Sequence, residues 1–159
     1  MFTVNTNWDI KMNKGDDVQF PLFINNGTRV NPIRYEFENY DGCEVYFYLI
    51  PIHGSFEDYY IKKIFNTDGT ITTYYKGQEE PTVKYVDTII NKNKDVVITL
   101  DSEDTINLCP QQYIYVVRAK VLTDKINSPN IVKNDTYTTL QVTNRYDFYL
   151  LDDDINRAE

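Results

Sequence analysis

The run Cys43-Glu44-Val45-Tyr46-Phe47-Tyr48-Leu49-Ile50 decides the fold class. In an extended chain successive side chains point to opposite sides. Cys43, Val45, Phe47 and Leu49 therefore share one face, and Glu44, Tyr46 and Tyr48 share the other. Asp41-Gly42 ahead of the run is a turn signal, and Pro51 closes it. The stretch predicts a strand with one core face and one tyrosine-rich face.

The same rhythm continues in Tyr113-Ile114-Tyr115-Val116-Val117-Arg118-Ala119-Lys120-Val121-Leu122. Arg118 and Lys120 point outward, which turns Tyr115, Val117, Ala119 and Val121 inward. Ile114 and Val116 are left on the outer face, so another element or a partner is expected to cover them. Shorter strands are predicted over 17–24, 59–65, 70–75, 95–100 and 137–142, with 8–12 as a further candidate. Val18, Phe20 and Leu22 share a face, and Pro21 moves that strand to a sheet edge or a bulge. Asp68-Gly69 between two runs predicts a hairpin.

Seven to nine short strands joined by turn chemistry predict an all-β fold, an antiparallel β-sandwich of immunoglobulin-like type. Only 102–108 has room for a helix, and for a single turn of it. The stretches 27–40 and 76–94 read as long loops.

Composition agrees. Among 159 residues there are 14 Tyr, and Ala119 and Ala158 are the only alanines, so the best helix former is nearly absent. The length fits one domain, taken as 1–145. Residues 146–159 read as an aromatic and acidic tail that serves as an oligomerisation or docking arm. The net charge of −8 disfavours nucleic acid and anionic membrane surfaces as partners. Lys62-Lys63 and Arg118-Lys120 read as solvated strand faces. No apolar stretch is long enough to span a membrane, and Met1-Phe2-Thr3-Val4-Asn5 lacks the basic and apolar regions of a signal peptide.

Catalytic signatures are missing from the sequence. His53 is the single histidine, and nothing places a Ser or Cys beside it for a nucleophilic triad. Tetrahedral zinc needs four Cys or His ligands, and Cys43, His53 and Cys109 are too few. The two cysteines read as free, buried thiols. Asp16-Asp17, Asp101/Glu103/Asp104 and Asp152-Asp153-Asp154 are dense in acid, but acids beside Gly15 or Asn107 are commonly turn formers. The expectation is a protein that is not an enzyme and carries no cofactor and no metal. Tyrosine offers large contact area at little cost in freedom, so Tyr46, Tyr48 and Tyr74 are candidate interface residues. Phe148, Tyr149, Leu150 and Leu151 join them from the tail. A second buried face is the open alternative for the tyrosines, and a last strand of the domain itself for Phe148 and Leu150.

Several segments, in order over positions 8–145, resemble small phage and prophage structural proteins. Lys14-Gly15-Asp16-Asp17-Val18-Gln19-Phe20-Pro21-Leu22 is similar to their opening strand. Tyr40-Asp41-Gly42-Cys43-Glu44-Val45-Tyr46-Phe47 is similar to their second landmark, and Ile61-Lys62-Lys63 to the run after it. Leu100-Asp101-Ser102-Glu103-Asp104-Thr105-Ile106-Asn107-Leu108-Cys109-Pro110-Gln111-Gln112-Tyr113-Ile114-Tyr115 resembles their most characteristic piece, with Gln111-Gln112 where the family usually has Gly. Thr138-Thr139-Leu140-Gln141-Val142 fits the closing strand. The resemblance implies a β-sandwich of a head-fibre or capsid-decoration protein, or of a baseplate upper protein. It further implies dimers or trimers docked on other virion proteins, with the protein located in a virion after synthesis in the host cytoplasm. A carbohydrate-binding adhesin module is a further alternative, and a glycosidase, which needs two carboxylates facing a cleft, is another.

Overall fold

The computed structural model describes residues 2–4, 9–24, 30–31, 33–122, 137–143 and 145–152. Its strands are β1 (Phe2–Val4), β2 (Ile10–Asn13), β3 (Val18–Leu22), β4 (Glu44–Ile50), β5 (Ile61–Asn66) and β6 (Thr70–Tyr75). They continue with β7 (Thr82–Tyr85), β8 (Val96–Leu100), β9 (Gln112–Leu122), β10 (Tyr137–Gln141) and β11 (Tyr146–Leu151). One helical turn, α1 (Ser102–Thr105), and a 3-10 turn at Phe56–Asp58 are the helical elements among the described residues. The fold is all-β. None of the helices among the described residues is long and apolar enough to cross a membrane.

Nine strands make one large sheet, ordered β1-β2-β11-β9-β4-β5-β6-β7, with β10 beside the second half of β9. β4 and β9 lie at its centre because their apolar faces match. Antiparallel pairing sets Phe47 opposite Val117 and Val45 opposite Ala119. β9 is long enough to serve two partners on its far edge, β11 along Gln112–Tyr115 and β10 along Arg118–Leu122. β3 and β8 form a separate two-stranded sheet. Pro21 sits in β3, which among the described residues pairs with β8 alone, so the missing N–H falls on an edge as expected. The β5–β6 hairpin turns at Asp68-Gly69, where Gly69 has φ +100°, a conformation that strongly favours glycine.

Both sheets supply one core. Val45, Phe47, Phe65 and Val117 from the large sheet meet Val18, Leu22, Ile98 and Leu100 from the small one, all buried. Phe47 stacks on Tyr115 with ring centroids 5.7 Å apart. Each such fully buried large side chain contributes about 1.5–3 kcal/mol. The outer face of β4 and β9 carries a second cluster, Tyr48, Ile50, Ile114 and Val116. Its cover comes from the chain itself: Phe56 lies 4.6 Å from the Tyr48 ring, and Arg118 stacks 5.0 Å over Phe56.

The eleven strands among the described residues exceed the seven to nine predicted. β7 lies inside a stretch read as a loop, because it is only four residues long and all four are exposed, so it has no buried face. The tail reading is corrected at 146–151. β11 is an interior strand between β2 and β9, parallel to the first and antiparallel to the second. Phe148 and Leu150 are buried in the domain's own core, so they complete it and are not part of a free arm. Residues 153–159 lie outside the described residues.

Candidate functional site

β5 alternates as β4 does, and its register sets Lys63 opposite Phe47. Ile61, Lys63 and Phe65 therefore all face the core. This corrects the reading of Lys63 as a solvated strand residue: it is 2% exposed. A buried ammonium needs a partner, and Lys63 donates to Asp104 Oδ2 at 2.6 Å. Asp104 is buried as well. Its Oδ1 accepts the Tyr75 hydroxyl at 2.5 Å, and Oδ2 also accepts the Asp101 N–H at 2.7 Å.

Local chemistry fixes the acid in place. Asp101 and Asp104 flank the start of α1 with the spacing of a reciprocal cap. Ser102 N–H donates to Asp17 Oδ1 at 2.7 Å, and Gly15 N–H donates to Thr105 Oγ1 at 2.9 Å. The turn is thus tied to the loop before β3. On the rim Lys84 pairs with Asp101 at 3.2 Å and with Glu103. The Glu103 hydrogen bond is the main cause that holds the Lys84 pKa above its usual value. Burial, followed by the neighbouring Asp104 carboxylate, pushes the Tyr75 hydroxyl far above the ordinary tyrosine range.

Above this network opens a groove of about 600 Å³, with Asp104 and Tyr75 in its lining. One wall is aromatic. Tyr60 and Tyr113 meet edge to face at 5.0 Å, and Tyr113 is held by donating to the Cys109 carbonyl at 2.7 Å. Burial pushes the Tyr113 hydroxyl up to about 12. Lys76 Nζ lies 4.6 Å over the Tyr60 ring. The rest of the lining includes planar amides and charge, from Gln78, Asn107, Gln111 and Glu103. Such a lining can stack on a ligand and exchange hydrogen bonds with it. Asp104 already gives both carboxylate oxygens to donors of this chain.

The residues predicted as an interface do not gather into one surface. Tyr48 is buried beneath Phe56. Tyr46 is half-buried on the same outer face and donates to Glu44. Tyr74 lies further along that face, where Lys62 Nζ sits 5.5 Å from its ring and 5.9 Å from that of Tyr48. Phe148 and Leu150 are core, Tyr149 is half-buried and donates to Asp147 at 3.2 Å, and Leu151 is exposed. His53 is exposed in the loop after β4. Cys43 is a buried free thiol, its pKa pushed up to about 11 by burial. Cys109 is free but exposed, which corrects the expectation that both are buried. Among the described residues no group of three or more His, Cys, Asp or Glu is placed to hold a metal ion.

The Lys63–Asp104–Tyr75 network was not among the predicted site residues. Its signal was parity: Lys63 falls on the same face as Ile61 and Phe65. Comparison with protein-family models gives no match for this chain, and comparison with curated proteins and with solved structures gives no significant one.

Proposed function

We propose that this chain is a non-enzymatic structural protein of a phage particle, a head-fibre or capsid-decoration protein on an immunoglobulin-like β-sandwich. A baseplate or tail adaptor is the alternative within the same class. The sequence resemblance supports the class, and the observation that carries a structural role is the open rim of the large sheet. Among the described residues β7 pairs with β6 alone, and Val83 and Tyr85 are 60% and 65% exposed. Exposed apolar side chains on an edge strand suit pairing with a neighbouring chain. The chain would then form a dimer or trimer and dock on other virion proteins by burying that edge.

Mass spectrometry of purified particles tests the assignment directly: peptides of this chain are expected in them, and particles without them would sink it. Light scattering tests the edge. The full chain is expected to be oligomeric and Val83→Lys to be monomeric. A monomeric full chain, or a variant that assembles normally, counts against β7 as the contact.

The groove favours a second reading, a carbohydrate-binding module. Tyr60 beside Gln78, Asn107 and Gln111 offers a ring for sugar C–H groups and amides for paired hydroxyls. A glycan array on which Tyr60→Ala loses the hits of the parent chain supports it. An array without hits removes it.

A further inference from the structure

The Lys63–Asp104 contact carries an inference of a different kind. Lys63 Nζ brings three donors, and Asp104 Oδ2 is its one hydrogen-bond acceptor among the described residues. The Phe65 ring, 5.9 Å away, lies at the outer limit of a cation–π contact. The two side chains are 2% and 1% exposed, so water supplies little for the remaining N–H groups. A buried ion pair of this kind is costly unless its spare donors are satisfied. An amide at the same place would carry a single N–H.

We propose that Lys63 and Asp104 condense to an intramolecular isopeptide bond that staples β5 to the turn after β8. The surrounding groups fit that step. A proton passes from Nζ to Oδ2 along the 2.6 Å contact, leaving a neutral amine beside a carboxylic acid. The Nζ lone pair attacks Cγ, and negative charge develops on Oδ1. The Tyr75 hydroxyl already donates to that oxygen at 2.5 Å, where an oxyanion donor is needed. Asp101 N–H steadies Oδ2, the oxygen that leaves. A second proton from nitrogen goes to Oδ2, the Cγ–Oδ2 bond breaks and one water departs. Nothing is oxidised or reduced. Asp104 lines the groove, which gives the water a way out. Fixed reacting groups reach effective concentrations of about 10⁵–10⁸ M, which favours condensation of an amine and an acid without an activating reagent. The reach in sequence matters too: the residues lie 41 positions apart, so the staple closes a long loop.

Intact-mass spectrometry of the full chain decides the matter. The expected mass is one water below that of the sequence, and a digest is expected to contain a branched peptide joining Lys63 to Asp104. A mass equal to the sequence after long incubation of the folded protein would overturn the proposal. A succinimide at Asp68-Gly69 or Asp41-Gly42 also loses one water. In Lys63→Arg the loss must vanish if the staple is its source, and a loss that persists counts against it. The branched peptide of the parent chain needs no variant to fold, so its absence from a dehydrated sample is equally fatal. Tyr75→Phe is expected to slow the appearance of the lighter species about 100-fold, and an unchanged rate would overturn the step as written.

Discussion

Asp104 and Asp95 are both almost wholly removed from water, and the molecule treats them in opposite ways. Asp104 meets a cation as deeply buried as itself and fills both oxygens with donors from three segments. Asp95 is paired through Oδ2 with Arg34, whose side chain keeps 36% of its exposure. Asp95 Oδ1 has no hydrogen-bond partner among the described residues. Arg34 also stacks 4.6 Å from the Phe23 ring, so it is held by packing as much as by charge. The first pair is a closed network in which each member depends on the others. The second is an open one, where a hydrated cation offsets part of the cost of a buried acid and leaves the rest uncompensated.

The largest expected effect follows from opening the closed network. Lys63→Met leaves Asp104 buried without its cation and should cost about 3–5 kcal/mol of folding stability, read from urea denaturation. That figure is for the ionic pair; from a stapled parent the loss is larger, because the crosslink's constraint on the unfolded chain goes as well. Lys63→Met combined with Asp104→Leu should recover most of the ionic part of that loss, because no charge is then stranded, but none of a staple's. A single variant as stable as the parent would mean that Asp104 reaches water. Alkaline pH probes the same network. The Tyr75 pKa is raised in the folded state from an ordinary value near 10. Its contribution is therefore complete below that pH and declines above it, as the unfolded chain gives up a proton that the folded chain retains. Tyr75→Phe should flatten the fall in stability above pH 10, and an unchanged slope would show that Tyr75 titrates normally.

Arg34→Met should cost less, about 1–3 kcal/mol, the usual penalty for leaving a buried polar group without its partner. Asp95→Asn should cost less still, because it removes a charge of which one oxygen already lacks a partner. If Arg34→Met proved as damaging as Lys63→Met, the distinction between open and closed networks would fail.

Most of the frame was legible because alternation is visible wherever one face is buried. β4, β9 and the β5–β6 hairpin follow from it directly, with Asp68-Gly69 marking the turn. β7 was hidden for the converse reason, as an edge strand with four exposed side chains has no buried face to announce it. In β11 the alternation of Tyr146, Phe148 and Leu150 was present, but the acids that follow made the segment read as a tail. The buried lysine illustrates a deeper limit. Composition sends Lys outward, parity sends Lys63 inward, and parity prevails only because Asp104 arrives from a distant segment to meet it, itself held by Tyr75 of the neighbouring hairpin strand. Neither partner is adjacent in sequence, so the pairing that makes burial tolerable could not be read locally. The Tyr48 face was half read: its need for cover was apparent, but the source, Phe56 in the chain's own next loop, was not.

Lys94 and Glu38 complete the comparison at the surface, where the smallest effect is expected. Their separation of 2.9 Å is close to that of Lys63 and Asp104, yet the side chains are 46% and 47% exposed. Glu38 holds the Lys94 pKa above its usual value, but water and salt screen the attraction between exposed charges. Lys94→Gln is the informative change. Lys94 has φ +67°, and a glycine there would relieve backbone strain and blur the electrostatic reading. Gln keeps the Cβ and most of the side chain, so strain largely cancels and the lost charge remains. The denaturation midpoint should not move measurably, and added salt should leave parent and variant indistinguishable. A clear loss would mean that charge separation, and not depth of burial, governs the strength of these pairs, and the contrast between Asp104 and Asp95 would then need another cause.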